Sequence, residues 1–196
     1  QGKTAAGRRL LAIPSRRRLE RVLSYVFDEK EFLSPYGIRS LSRIYQDKPF
    51  VLQAGGQEYR VEYVPGESDS GLFGGNSNWR GPVWFPTNFL LIEALERYHH
   101  FYGDSFTVEF PTGSGRRVTL QVAARELAKR MIGLFVPGQE RGRPCHGNQV
   151  AFENDPRLRD HVLFHEYFHG ETGRGLGASH QTGWTGVVAR LIHQFR

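Results

Sequence analysis

The chain has 196 residues, 39% of them hydrophobic and 23% charged, with a formal net charge of +6. That composition supports a core of its own and excludes a disordered segment. No apolar run reaches the ~18–20 residues of a membrane-spanning helix, so no membrane partner is expected. The first residue is Gln1 and no leader pattern follows it, so the sequence reads as a piece of a longer polypeptide. Cys145 is the single cysteine. It can form neither an intrachain disulfide nor a cysteine-based zinc cluster, and it favours a reducing, cytoplasmic setting.

Basic residues crowd the start: Lys3, Arg8, Arg9, Arg16, Arg17, Arg18 and Arg21. The spacing predicts a first helix over 16–32, with Leu19, Val22, Leu23, Val26 and Phe27 as its buried stripe. The arginines then occupy the solvated face, and no nucleic-acid partner is expected. Phe50 to Val64 reads as a β-hairpin turning at Gly55-Gly56. A second helix, 86–102, starts near Pro86 and repeats apolar residues at Leu91, Ile92, Leu95, Tyr98 and Tyr102. His99-His100 closes it, where imidazoles complement the helix dipole. A second hairpin runs from Thr107 to Leu120 around Gly113-Ser114-Gly115. A third helix, 119–136, uses Leu120, Ala123, Ala124, Leu127, Met131 and Leu134. Cys145-His146 sits in a Gly/Pro loop and reads as structural. Asp155-Pro156, an N-cap followed by proline, predicts a fourth helix. A fifth covers about 185–195.

The remaining stretches are loops rich in glycine and tryptophan. All three tryptophans fall in Asn76-Ser77-Asn78-Trp79-Arg80-Gly81-Pro82-Val83-Trp84 and Gly183-Trp184-Thr185-Gly186. An indole beside glycine leaves its face open to the C–H surface of a pyranose, while its N–H can reach a hydroxyl. Asn76, Asn78, Arg80 and Asn88 add donors and acceptors that orient a sugar. Packing between helix ends accounts for the same tryptophans equally well, and spacing alone leaves the two readings level.

The stretch Asn78 to Trp84, followed by Asn88, resembles the Trp-Arg-Gly-Pro-x-Trp-x-x-x-Asn segment of family 63 glycoside hydrolases. Gly37-Ile38-Arg39-Ser40-Leu41-Ser42 is similar to an upstream loop of that family. Glu166-Tyr167, Gly173-Arg174-Gly175-Leu176-Gly177 and Gly183 to Gly186 supply a third match in the same order. The resemblance implies an all-α fold, the (α/α)6 toroid of six-hairpin glycosidases. Five helical segments are too few for such a ring, so residues 1–196 read as the C-terminal half of one catalytic domain, with small hairpin insertions and an upstream half as partner. It further implies inverting hydrolysis of α-glucosidic or related α-glycosidic bonds, with Glu166 as general base. Trp79, Arg80, Gly81, Trp84, Asn88, Tyr167 and Trp184 fall on substrate-binding positions, and no cofactor is implied.

An inverting glycosidase needs two carboxyl groups ~6.5–9.5 Å apart, one protonating the leaving oxygen and one activating water. The base works ionised, which suits a glutamate near Arg174 or another cation. Glu67 and Asp69 lie in a Gly/Ser stretch and match no acid motif, so the general acid is expected upstream.

Two other readings stand beside this one. A carbohydrate-binding fragment without catalysis would use the same loops. His165-Glu166-Tyr167-Phe168-His169 also matches the H-E-x-x-H of zinc peptidases, where a helix presents both imidazoles on one face and Glu is the base. Against it, Gly170, Gly173, Gly175 and Gly177 stop a helix at His169, and no acidic residue follows Glu171 as third ligand.

Overall fold

A computed structural model describes residues 14–71, 77–138, 142–149 and 151–195. Lys3, Arg8, Arg9 and Asn76 lie outside the described residues. The chain is helix-rich with small β-hairpins. The first helix, α1 (Arg16–Val26), starts where Ser15 Oγ accepts from the Arg18 amide at 3.4 Å. It buries Leu19, Leu23 and the following Phe27. The sequence pattern carried this helix to residue 32, but it ends at Val26. Asp28 redirects the chain, its side chain accepting from the Lys30 amide at 2.8 Å and its carbonyl from Glu31 and Leu33. The apolar stripe is also narrower than expected, since Val22 is 53% exposed. Arg17, Arg18 and Arg21 are exposed, as expected. Arg16 lies over the rings of Tyr102 and Phe106.

The core is built on α2 (Phe85–Tyr102) and α3 (Leu120–Gly133), which pack along each other, with α6 (Val188–Phe195) against α3. Helix α2 carries Pro86 in its first turn and stops at Gly103, whose φ of 62° no longer fits a helix. Helix α3 is capped by Thr119 and buries Ala123, Ala124, Leu127, Ala128 and Met131. The three alanines keep that face shallow, so neighbouring elements approach closely.

Two predicted helices differ. At Asp155-Pro156 the chain makes turns and no helix, preceded by the short α4 (Ala151–Asn154). Pro156, Arg157, Arg159 and Asp160 are exposed, so no apolar face extends the turn, and an isolated turn does not propagate. The last helix begins at Val188, separated by Gly186 from the single turn α5 (Thr182–Thr185).

Both predicted hairpins form. Strands β3 (Phe50–Ala54) and β4 (Gln57–Val61) turn at Gly55 and Gly56, with φ of 58° and 76°. Such paired positive values favour glycine and match the twist of the strands. The register puts Phe50 opposite Val61 and Leu52 opposite Tyr59, so one face of this hairpin is apolar. Phe50, Leu52 and Tyr59 are nevertheless about half exposed. The second predicted hairpin pairs β5 (Thr107–Glu109) with β6 (Arg117–Thr119).

Two shorter hairpins have no counterpart in the sequence reading: β1 (Leu33–Ser34) with β2 (Gly37–Ile38), and β7 (Tyr167–Phe168) with β8 (Gly175–Leu176). Val83 joins them. It bridges Arg39 on one side and Phe168 on the other, with the Val83 and Phe168 amides exchanging bonds of 2.8 and 2.9 Å. The Ser40 amide donates to Pro82 O at 3.0 Å, and the Gly81 amide to Ser40 Oγ at 3.0 Å. Three sequence segments read as separate loops are thus zipped into one backbone seam. Among the described residues no helix is long and apolar enough to cross a membrane.

Candidate active site

The seam brings the tryptophans together. Trp84, 1% exposed, is the middle of a stack. Trp79 lies on one face at 3.9 Å between ring centroids and Tyr167 on the other at 4.7 Å. Trp184 meets Trp84 edge-on at 5.9 Å. The Trp84 indole N–H donates to Asn78 O at 2.9 Å, and that of Trp184 to Glu166 O at 3.1 Å. The rings differ in setting. Trp84 fills the interior, while Trp79, 40% exposed, offers a flat outer face.

Glu166 sits beside this stack, partly buried. Its backbone is pinned, the amide donating to Ala178 O at 2.8 Å. Its carboxylate takes two neutral donors: Ser77 Oγ–H to Oε1 at 2.7 Å and the Ala178 N–H to Oε2 at 3.2 Å. Arg174, one of the cations expected nearby, packs its methylenes on Gly147. Gly177 has a φ of 66°, and a Cβ there would come within 2.6 Å of Glu166 Oε2. The glycine thus supplies both the left-handed turn and the room for the carboxylate. Burial pushes the Tyr167 phenol above its ordinary value, and the charges of Glu67 and Glu166 push the same way.

The remaining candidates hold the frame. Arg80, with its side chain 4% exposed, pairs with the exposed Asp69, and that bond holds the Asp69 carboxyl below its usual range. Among the described residues Arg80 Nε has no hydrogen-bond partner. Asn88 is buried and its amide is used by backbone: Oδ1 accepts from Ile38 N at 2.7 Å, and Nδ2 donates to Ile38 O and Trp84 O. Gly81 lies against the Tyr63 ring, where a Cβ would clash at 2.7 Å. Asn78 Nδ2 donates to Val64 O and Gly66 O, tying the tryptophan segment to the preceding loop.

A part-buried ion pair, absent from the sequence reading, holds the seam together. Arg39 makes two bonds to Glu171 and one to Leu33 O, and Tyr63 O–H donates to Glu171 Oε1 at 2.5 Å. Tyr63 is pushed well above its ordinary value by burial and then by its bond to Glu171. Burial pushes Glu171 up as well, but the bonds from Arg39 and Tyr63 and the charges of Arg39 and Arg43 outweigh it and leave Glu171 low. Ser77 and Gly177 stood inside the motifs of the sequence reading, but no part at the site was assigned to them or to Tyr63. Nothing in the sequence announces the contact of Ser77 with a residue 89 positions on.

The H-E-x-x-H segment is not a helix. Residues Tyr167–Phe168 are a strand, and the preceding Glu166 amide donates to Ala178 O. The imidazoles accordingly have separate surroundings. The His165 ring lies flat on Gly175, whereas His169 Nδ1 accepts from the Glu171 and Thr172 amides. This geometry overturns the zinc-peptidase alternative, which requires one helical face. Cys145-His146 is structural, as read: Cys145 is fully buried, and burial raises its thiol to about 12.

Residues 9–185 match the model of the mannosylglycerate hydrolase MGH1-like glycoside hydrolase domain. The chain belongs to this family of glycoside hydrolases, within family 63. Its relatives include the uncharacterized protein YMR196W of Saccharomyces cerevisiae, 55% identical over 97% of this chain and 18% of that protein. A mannosyl-oligosaccharide glucosidase of the same yeast is 25% identical over 91% of this chain and 15% of its own length. A probable mannosyl-oligosaccharide glucosidase of Schizosaccharomyces pombe is 27% identical over 90% and 15%. The chain thus spans less than a fifth of each of these relatives, and the matched region of the family contains every residue of the seam.

Proposed function

We propose that this chain is the C-terminal portion of an (α/α)6 catalytic domain, and that it supplies Glu166 as general base of an inverting α-glycosidase. One observation carries the reading: the Glu166 carboxylate is held at both oxygens by neutral donors at the edge of an aromatic stack. Neutral donors steady an anion without cancelling its charge, so the carboxylate keeps the capacity to take a proton from water. Each oxygen has a second lone-pair site left for that water. Trp79 offers the apolar face a pyranose needs, and Trp184 holds Glu166's own carbonyl, coupling platform to base.

The acid that protonates the leaving oxygen belongs to the upstream half. Two carboxylates of this chain serve other ends, Asp69 being paired to Arg80 and Glu171 to Arg39. The apolar face of the β3–β4 hairpin, with Phe50, Leu52 and Tyr59 uncovered, fits a segment whose neighbours lie in the rest of such a domain. The substrate class is an α-linked glucosyl or related short saccharide, by kinship with the relatives named for oligosaccharide glucosidase and mannosylglycerate hydrolase. Proton NMR of the first product formed by the full-length protein tests the stereochemistry. Inversion gives the β-anomer before mutarotation, whereas α product implies carboxyls ~5 Å apart and a covalent intermediate, which overturns the proposal.

A further inference from the structure

We infer that Ser77 is a positioning residue for Glu166, an inference that rests on reading Glu166 as the general base. The two donors on this carboxylate are not equivalent. The Ala178 amide, at 3.2 Å from Oε2, belongs to the residue whose carbonyl already accepts from the Glu166 amide. Base and amide therefore move together as one piece of backbone. That contact alone lets the carboxylate turn about its last side-chain bond, because it fixes a single oxygen.

The Ser77 hydroxyl, at 2.7 Å from Oε1, fixes the second oxygen and with it the carboxylate plane. It arrives from a different part of the chain, so it ties the base to the tryptophan segment rather than to its own strand. The hydroxyl is delivered by an anchored backbone: the next residue, Asn78, donates to Val64 O at 2.8 Å and Gly66 O at 2.7 Å, and Trp84 donates to Asn78 O. Whatever fixes the sugar platform thus fixes the orientation of the base.

The choice of a hydroxyl has a chemical reason. A backbone N–H only donates, and its bond weakens once the oxygen it serves is protonated. A serine hydroxyl both donates and accepts. It donates to one lone pair of Oε1 and keeps doing so when water gives up its proton to the free lone pair of Oε1 or to Oε2. Oε1 therefore keeps a partner on both sides of the proton transfer, and the carboxylate need not reorient during turnover.

The test uses the full-length protein, with an oligosaccharide ending in α-glucose and with mannosylglycerate as probes. Ser77→Ala should lower kcat by about 10- to 100-fold, the weight of a hydrogen bond to a charged group, with KM and thermal midpoint close to wild type. Ser77→Thr, which restores the hydroxyl, should recover most of the loss. In a Glu166→Gln background, Ser77→Ala should cost little more, because its effect passes through the carboxylate. Wild-type kcat in Ser77→Ala beside a dead Glu166→Gln overturns the role of Ser77 and leaves the base reading intact. So does a loss that simply adds to that of Glu166→Gln. Full activity in Glu166→Gln, or no turnover of either probe by the wild type, overturns the base reading and the inference with it.

Discussion

Arg39 and Glu171 stand 132 positions apart and meet through two bonds, Nε to Oε1 at 2.9 Å and Nη2 to Oε2 at 3.1 Å. Arg39 is 2% exposed at its side chain and Glu171 29%, and the pair holds the seam together. Removing the Glu171 charge strands Arg39 in the interior, while removing Arg39 leaves Glu171 partly exposed beside Arg43 and Tyr63. Glu171→Gln should destabilise the fold by about 3 kcal/mol, as when a buried charge loses its partner, and Arg39→Met by less. Urea denaturation checks this, and a wild-type midpoint for Glu171→Gln would count against the latch. The pair also sets an acid limit. Since Glu171 lies below its ordinary 4.5 when folded, its contribution is present above that value and is lost as pH falls through the folded one.

Trp79 and Trp84 stack within 5° of parallel yet do different work. Trp79→Ala opens an outer surface and should cost under about 1 kcal/mol of stability, while raising KM or sugar Kd several-fold by removing a platform. Trp84→Ala empties the middle of the stack and should cost about 3–5 kcal/mol. Calorimetry for stability and titration with the sugar for affinity separate the two. Equal losses of stability would contradict this division.

His165 is 6% exposed, and its Nδ1 has no hydrogen-bond partner among the described residues. Burial lowers its pKa, and the neighbouring His146 and His180 lower it further. The folded form therefore resists protonation while the unfolded chain protonates from about 6.5 downward. The unfolded state binds more protons in that window, so stability falls as pH drops below about 6.5 and levels off below the folded value. The thermal midpoint of wild type should decline from pH 7 to 5, with a shallower decline in His165→Asn. Identical slopes would show that other groups set the dependence.

The long elements were legible because periodicity reports burial directly. Helices α2 and α3 fall within a few residues of their predicted bounds, and Gly55-Gly56 marks its hairpin turn. The seam was not legible. Strands of two residues, as at Gly37–Ile38 and Tyr167–Phe168, carry no period to detect, and their partners lie across the chain at Val83. The helix expected at Asp155 failed because a good cap starts a turn but only a buried face prolongs it. Within the site, Trp79, Trp84, Tyr167, Trp184 and Glu166 were picked out by motif and are adjacent in space. Asn88 was picked out too, but its amide binds the backbone of Ile38 and Trp84. Residue type announces a hydrogen-bonding group, and only the fold decides what it bonds.

The most direct test of the account is the steady-state kinetics of Glu166→Gln in the full-length protein. Glutamine keeps the side chain's size and its bond to one of the two donors, but it accepts no proton from water. A positioned general base contributes ~10²–10⁴-fold, so kcat should fall by at least about 100-fold while KM stays near wild type, because the substitution leaves the proposed sugar platform at Trp79 and Trp184 unchanged. A mutant that turns over at the wild-type rate would contradict the assignment of Glu166 as the base.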